Sequence, residues 1–216
     1  MRVSASRKET IVQLMKSLHK DNYFYELSYT LFSTPIGELI GVCADSGVCL
    51  LYFTDCDIKS MLIEVQKTFS CNFAQKNTVL CRRLQTEVRE YFAGDRQEFT
   101  LPLTFIGNNF QKKIWHHVES IEYGRTQFFK QPGEGDLSPE INNSPVIRAV
   151  DENKLLLLVP SHRVLNSAEE NRKFPAGEHR KKYLLDFEKR ILASMEIEAA
   201  KIAAKLRRAR NRYSDY

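Results

Sequence analysis

Ser161 and His162 are the residues whose types could carry out chemistry, because they stand together directly after the apolar run 155–159. A serine nucleophile, a histidine base and a carboxylate such as Glu188 are the residue types of a serine hydrolase. The serine and the histidine are adjacent, however, and the chain has neither a Gly-x-Ser-x-Gly elbow nor an evident oxyanion loop. A hydrolase is therefore disfavoured. An ordinary turn after a buried strand is the alternative for the segment taken alone.

Other short fragments give this segment a different meaning through their order and spacing. They are Phe110-Gln111 with Trp115, Tyr123-Gly124 with Thr126, Arg148-Ala149-Val150, Asn153-Lys154-Leu155, and the stretch from Lys181 to Glu188. Together with Pro160-Ser161-His162-Arg163-Val164 they resemble the O6-alkylguanine-DNA alkyltransferase family, whose signature is Pro-Cys-His-Arg-Val. The resemblance covers about residues 20–190 and leaves the C-terminal tail unexplained.

The resemblance implies a site that moves an alkyl group from guanine O6 to a cysteine thiolate, which is never regenerated. In the family a histidine, reached through a water and backed by a glutamate, helps the thiol to become nucleophilic. His162 and Glu188 match these two residues, and Asn153 matches the asparagine that supports the site. Arg163 matches a structural arginine. The resemblance implies no metal and no cofactor.

Ser161 is the point at which the pattern breaks, because the family has its acceptor cysteine there. A hydroxyl is far less acidic than a thiol, so we predict no alkyl transfer by the chain as written. Natural divergence would leave a DNA repair protein that recognises O6-alkylguanine in double-stranded DNA by nucleotide flipping and flags it for other repair factors. An engineered serine in a methyltransferase is the second alternative. A DNA-binding or interaction protein without lesion specificity is the third.

Arg148 is the expected finger residue that fills the hole left by the flipped base. Its planar guanidinium suits stacking and hydrogen bonding there. The preceding loop is longer than in the family and the following spacing is shorter, so ungapped counting instead leaves Ser144 at the finger position. Both alternatives stay open from the sequence. Asp151, next to this segment, adds a negative charge that disfavours phosphate contact.

The other expected DNA contacts come from residues on both sides of this segment. Phe129 and Phe174 stand where the family usually has tyrosines, one near the target phosphate and one near the base pocket. Thr126 and Arg163 complete the expected DNA-binding set.

The elements that must position these residues indicate an α+β fold, with a small strand-rich N-terminal domain before a helical C-terminal domain that contains a degenerate helix-turn-helix. The expected N-terminal elements are antiparallel strands within 24–53, a helix over 58–70 capped by Asp57, a helix over 79–93 ended by Gly94, and a strand over 99–105. The expected C-terminal elements are a helix capped by Asn109, a loop over 131–143, a short helix over 144–152, a strand-like run over 155–159, and a helix over 178–210. The resulting divisions are 1–20, 21–105, 106–190 and 191–216.

Several single residues receive structural rather than functional interpretations. Trp115 is expected in the core, and His116, His117 and His179 at the surface. The five cysteines have no zinc-ribbon spacing, so buried free thiols are expected in preference to a metal site.

The charge of the chain is concentrated in its tail. The net charge is +5, and residues 189–216 contain eight basic and three acidic residues. The tail helix is expected to be solvated, to contact phosphates, or to dimerise through Ile191, Met195, Ile202 and Leu206. The chain has no apolar run long enough for a membrane span and no signal-peptide pattern near residue 1, so the expected location is the nucleus or the cytoplasm.

Overall fold

The N-terminal part of the chain is built on one four-stranded sheet. A computed structural model describes residues 5–128, 145–165 and 174–213, with side chains for 6–128, 145–165 and 174–207. The strands are β1 (Tyr25–Thr34), β2 (Gly37–Ala44), β3 (Gly47–Phe53) and β4 (Cys71–Gln75), in the order β3-β2-β1-β4. The first three are antiparallel neighbours, as predicted, and β4 lies parallel to β1.

Three helices accompany this sheet, and two of them match the predicted helices, one of which ends a residue earlier than predicted. They are α1 (Ala5–Ser17), α2 (Ile58–Phe69) and α3 (Val79–Ala93). The Asp57 side chain accepts from the Ser60 backbone at the start of α2. Gly94 ends α3 with a positive φ of 86°, a conformation that glycine adopts without strain. Helix α1 occupies most of the N-terminal stretch, and its Ile11 and Met15 are buried.

Two sequence predictions for this half need correction. The strand expected over 99–105 is an irregular segment with one bridge, between Leu103 and Val48. Its apolar residues resemble a strand because they pack on the core, but Pro102 has no N–H to donate to a ladder. Strand β4 was not predicted. It begins directly after α2, and its parallel partner β1 lies far earlier in the chain, so no local turn signal marks the pairing.

The described residues of the C-terminal half are mostly helical, with two very short strands. The helices are α4 (Asn109–Glu119), α5 (Pro145–Asp151) and α6 (Glu178–Tyr213), and the strands are β5 (Gln127–Phe128) and β6 (Val164–Leu165). Asn108, not Asn109 as predicted, caps α4, and it forms a reciprocal capping box with Gln111. Helix α6 has 36 residues and follows the predicted long helix.

The run 155–159 is buried as predicted, but it is not a regular strand. It makes isolated bridges and a tight turn in which Leu157 has a φ of 71°. The turn returns the chain on itself, since the Val159 backbone N–H donates to the Leu155 carbonyl at 2.8 Å. The run resembles a strand in sequence because its side chains are apolar. They are apolar because they are buried, not because the backbone pairs as a strand.

The two halves are joined by main-chain and charged contacts at the outer edge of β3. The Leu51 backbone donates to the Lys154 carbonyl at 2.9 Å and accepts from the Leu156 backbone at 3.0 Å. Lys154 Nζ lies 2.9 Å from Oε1 of Glu64 in α2. These contacts confirm an α+β arrangement in which the N-terminal sheet supports the segment leading to Ser161.

Trp115 is buried and its indole N–H donates to the Ala149 carbonyl at 2.6 Å, which joins α4 to α5.

His116, His117 and His179 are exposed, as predicted. Four of the five free cysteines are buried, and Cys56 is half-buried. None of the helices in the described ranges is long and apolar enough to cross a membrane.

Candidate functional site

Ser161 lies at the end of the turn 153–160, where one asparagine organises the backbone. Asn153 is buried, and its Oδ1 accepts from the Leu155 backbone at 2.8 Å. Its Nδ2 donates to the Val159 carbonyl at 2.9 Å and lies 3.3 Å from Ser161 Oγ. The same side chain therefore closes the turn and holds the hydroxyl of Ser161, which is only 2% exposed.

His162 and Arg163 follow in one turn of 3₁₀ helix and both point to Glu188 of α6. His162 Nε2 is 2.9 Å from Glu188 Oε1, and Arg163 Nη2 lies 2.9 Å from that oxygen. Arg163 Nε donates to Oε2 at 3.1 Å, and so does the Gly124 backbone N–H at 2.9 Å. The Tyr91 hydroxyl adds a 2.7 Å hydrogen bond to Oε1. Both oxygens of the fully buried Glu188 carboxylate are thus held by several donors.

Electrostatics keep Glu188 ionised despite its burial. Burial alone would raise the pKa of this carboxyl group, but the hydrogen bonds and charges of His162 and Arg163 outweigh it and lower the pKa to about 2. Burial lowers the pKa of His162, and the neighbouring Glu188 offsets this effect only in part. The permanent positive charge that balances Glu188 is therefore that of Arg163, and the imidazole is neutral at pH 7.

The hydrogen bond to Glu188 also fixes the tautomer of His162. A neutral imidazole can donate to a carboxylate only from a protonated nitrogen, so Nε2 carries the proton and Nδ1 carries the lone pair. The site therefore contains an oriented, neutral base beside a buried hydroxyl. Such a base can accept a proton from an acidic nucleophile, but a serine hydroxyl is much less acidic than the thiol that this chemistry uses.

The structure brings together four of the residues predicted for chemistry: Asn153, Ser161, His162 and Glu188. Two residues of this network were not predicted. Tyr91 is 97 positions away from Glu188 in the chain, and Gly124 contributes only its backbone N–H. The Tyr-Gly pair was part of the family resemblance, but nothing in the sequence singles out Tyr91 from the other apolar residues of α3.

The predicted DNA contacts fall into different environments. Arg148 is exposed on α5, between the buried Ile147 and Ala149, and Thr126 is exposed before β5. Phe174 is buried, with 4% of its surface exposed. Phe129 and Ser144 lie outside the described residues, so the choice between Arg148 and Ser144 stays open.

Arg163 requires a correction, because it was placed among the DNA contacts as well as being matched to a structural arginine. It is 5% exposed, and its guanidinium binds Glu188 and the Ile121 carbonyl. Its donors are directed into the protein, where they balance a buried carboxylate. The structural role is therefore the one that the geometry supports. Among the described residues, no group of His, Cys, Asp and Glu side chains could hold a metal ion.

The α+β support, the helical second half and the buried Asn153, His162 and Glu188 around Ser161 are the features that the resemblance to the O6-alkylguanine-DNA alkyltransferases predicts. Comparison with known proteins leads to the same class. Residues 27–105 match the ribonuclease-like domain of 6-O-methylguanine DNA methyltransferase, and residues 109–190 match its DNA binding domain. The chain belongs to the O6-methylguanine DNA methyltransferase family of alkylated-DNA repair proteins.

Individual relatives agree with this assignment over most of their length. The constitutive methylated-DNA–protein-cysteine methyltransferase of Bacillus subtilis is 33% identical over 146 residues, which cover 65% of this chain and 82% of the relative. The Methanosarcina acetivorans methyltransferase of the same description is 27% identical over 164 residues, covering 74% and 97%. The crystal structure of Mycobacterium tuberculosis O6-methylguanine methyltransferase in complex with DNA has the same fold, with a TM-score of 0.58 at 23% identity over 76% of this chain and 94% of that one.

Proposed function

We propose that this protein recognises O6-alkylguanine in double-stranded DNA by nucleotide flipping, and retains the lesion without taking its alkyl group. The observation that carries the proposal is Ser161, which stands where the family has its acceptor cysteine, is hydrogen-bonded to Asn153 and directly precedes the His162 that pairs with Glu188. Retention without transfer would present the lesion to other repair factors. Membership of the family and the M. tuberculosis relative crystallised with DNA support the DNA partner.

Physical chemistry separates the binding step from the transfer step. Flipping requires a pocket, a finger and contacts to the DNA backbone, none of which depends on the nucleophile. Transfer to a saturated carbon requires an anionic nucleophile, and the neutral His162 is too weak a base to ionise a serine. A serine protein can therefore retain recognition and lose repair.

The test measures both steps on the same samples. Duplexes with and without one O6-methylguanine are titrated with the protein, and the protein is then analysed by intact mass and by peptide mapping around residue 161. We expect tighter binding to the lesion duplex and no added methyl group. Equal affinity for both duplexes would favour DNA binding without lesion specificity, and a methyl group on Ser161 would refute retention without transfer.

The intact His162–Glu188 pair favours a second candidate, a methyltransferase in which serine replaces the acceptor cysteine. An oriented base has a clear purpose when the neighbouring residue is a thiol. The variant Ser161→Cys tests this candidate. Methyl transfer to the cysteine would show that His162 and Glu188 still support the reaction, and no transfer would show that they do not.

A further inference from the structure

The last part of α6 continues well past the body of the protein. Gln97 Nε2 lies 2.8 Å from Met195 Sδ, and every described side chain from Ala193 to Arg207 is exposed. At about 1.5 Å per residue, the segment 197–213 extends the helix by about 25 Å. A projecting helix of this kind needs a partner surface or many internal ion pairs to be stable in water.

The last part of α6 carries an apolar stripe with the spacing of a coiled coil. Its members alternate at intervals of four and three residues, and we call them the heptad stripe: Met195, Ala199, Ile202 and Leu206. Met195, Ile202 and Leu206 are 49%, 53% and 65% exposed. Solvated helices rarely keep large aliphatic residues in such register, so the stripe indicates a partner helix.

We propose that the C-terminal part of the heptad stripe packs against the same part of the stripe in a second copy of this protein, in an antiparallel helix pair. The contact would place Ile202 of one copy opposite Leu206 of the other, so that each aliphatic side chain covers its counterpart. The arrangement is two-fold symmetric and self-complementary, as closed homodimers require.

The charges beside the stripe favour this partner and this orientation. Glu196 and Glu198 flank its first half, whereas the basic residues Lys205, Arg210 and Arg212 hold the equivalent helix positions in its second half. In the antiparallel pair, Glu196 lies opposite the position of Arg210, and Glu198 opposite that of Arg212, in both symmetric halves. These positions give four opposite-charge pairs. They give one like-charge pair, between Lys205 of one copy and Lys205 of the other.

In a parallel pair, like-charge contacts beside the stripe would outnumber opposite-charge contacts. Each Lys205 would face the Arg210 position of the second copy, and Glu198 would face the uncharged Ala203. Nucleic acid as the partner would use the basic positions but leave Ile202 and Leu206 in water. The combination of an aliphatic stripe with segregated acidic and basic ends therefore points to a second copy.

The first experiment measures the mass of the full-length protein without DNA, by sedimentation over a range of concentrations. We expect twice the mass of the chain. The double variant Ile202→Gln/Leu206→Gln should raise the dissociation constant by at least about tenfold, since apolar anchors at the centre of an interface carry most of its affinity. Folding is not at risk, because these side chains are exposed, and circular dichroism checks it.

Ile197→Gln is the matched control. Ile197 is also aliphatic and 57% exposed, but it lies off the stripe, so this variant should keep the dimer mass. A monomer at every concentration would overturn the proposal. So would a dimer that survives the double variant, because its interface would lie elsewhere. A monomer whose double variant also loses affinity for plain duplex would assign the segment to DNA.

Cross-linking determines the orientation. In a Cys56→Ser background, Ala199→Cys and Ala209→Cys proteins are oxidised separately and as an equal mixture. The antiparallel pair brings position 199 of one copy to position 209 of the other, so the covalent dimer should form in the mixture and not with either protein alone. Cross-linking of the Ala199→Cys protein with itself would overturn the antiparallel arrangement.

Discussion

The hydroxyl of Tyr91 donates a 2.7 Å hydrogen bond to Oε1 of Glu188, the same oxygen that His162 contacts at 2.9 Å. Tyr91 belongs to α3 of the N-terminal domain, whereas Glu188 belongs to the long C-terminal helix. The N-terminal domain therefore supplies a direct contact to the carboxylate that orients the histidine. The family assignment says which domain this is. The hydrogen bond from Tyr91 shows that the domain helps to hold Glu188 in place.

Removing this hydroxyl is expected to destabilise the protein. Tyr91→Phe leaves a buried carboxylate with one donor fewer, and hydrogen bonds to charged groups contribute about 1.5–3 kcal/mol. Urea unfolding followed by tryptophan fluorescence measures the loss. Tyr123→Phe is the control, because the Tyr123 hydroxyl is buried without a hydrogen-bond partner among the described residues. That variant should be as stable as the parent or more stable, and equal losses in both variants would contradict the role of Tyr91.

Restoring a thiol is expected to restore transfer. Ser161→Cys places an acidic nucleophile beside the oriented His162, so incubation with an O6-methylguanine duplex should add one methyl group per protein. Intact mass measured against time gives the rate. Adding His162→Gln to the cysteine variant keeps a polar side chain but removes the base, and should slow transfer by about 10²-fold or more.

The parallel control is Ser161→Ala, which should take no methyl group. If the cysteine variant folds, binds the lesion duplex and gains no methyl group, the network of His162 and Glu188 no longer supports transfer.

The protonation state of His162 can be read directly. Because burial lowers its pKa from the ordinary 6.5, the imidazole should be neutral at pH 7, with its proton on Nε2. Two-dimensional ¹⁵N spectra distinguish this tautomer from the other tautomer and from the cation. A protonated His162 signal at pH 7 would show that the imidazole, not only Arg163, balances Glu188.

Acid should remove the stabilisation that Glu188 provides. Its pKa is about 2 in the folded protein against an ordinary value of 4.5, so its contribution is present above about pH 4.5 and is lost as the pH falls towards 2. The expected size is on the order of 3 kcal/mol. The measurement compares urea unfolding of the parent and of Glu188→Gln across this range. The difference between the two should shrink with acid, and a constant difference would contradict the lowered pKa.

Arg148 is expected to act as the finger. Arg148→Ala should weaken binding to the lesion duplex and abolish the fluorescence rise of a base analogue placed beside the lesion, because the flipped state loses its filler. Arg89→Ala, an exposed arginine on α3, is the matched control for charge loss. Equal weakening on lesion and plain duplex, with the fluorescence rise preserved at saturation, would make Arg148 a phosphate contact and leave the finger to another residue.

The ends of helices could be predicted from the sequence where they depend on a capping residue and its nearest neighbours. Asp57 and Gly94 were assigned correctly because a cap depends on a few neighbouring backbone groups. The cap of α4 was misplaced by one residue because Asn108 and Asn109 are both suitable, and only the reciprocal bond with Gln111 chooses between them. Helix α1 could have been recognised from Ile11, Met15 and Leu18, whose spacing fits one helix face.

Features that depend on distant contacts could not be predicted in the same way. Apolar content alone does not distinguish a strand from a buried turn, which is why 155–159 was assigned to a strand. The site residues of the C-terminal half were found because the resemblance fixed their spacing, whereas Tyr91 reaches the site only through packing between domains. The inward direction of Arg163 likewise follows from the position of Glu188, 25 residues further on.

The main-chain pairing of Leu51 with Lys154 and Leu156 covers part of the outer edge of β3, beside the part that the Val48–Leu103 bridge covers. Without it, β3 would present unpaired backbone groups at this point, a surface on which other chains can add. The segment that carries Asn153 gains its order from that edge and in return shields it. Because the two halves share these contacts, we expect them to melt in a single cooperative transition. A destabilising change in β3 should therefore disturb the turn that holds Ser161 without altering any residue of the site.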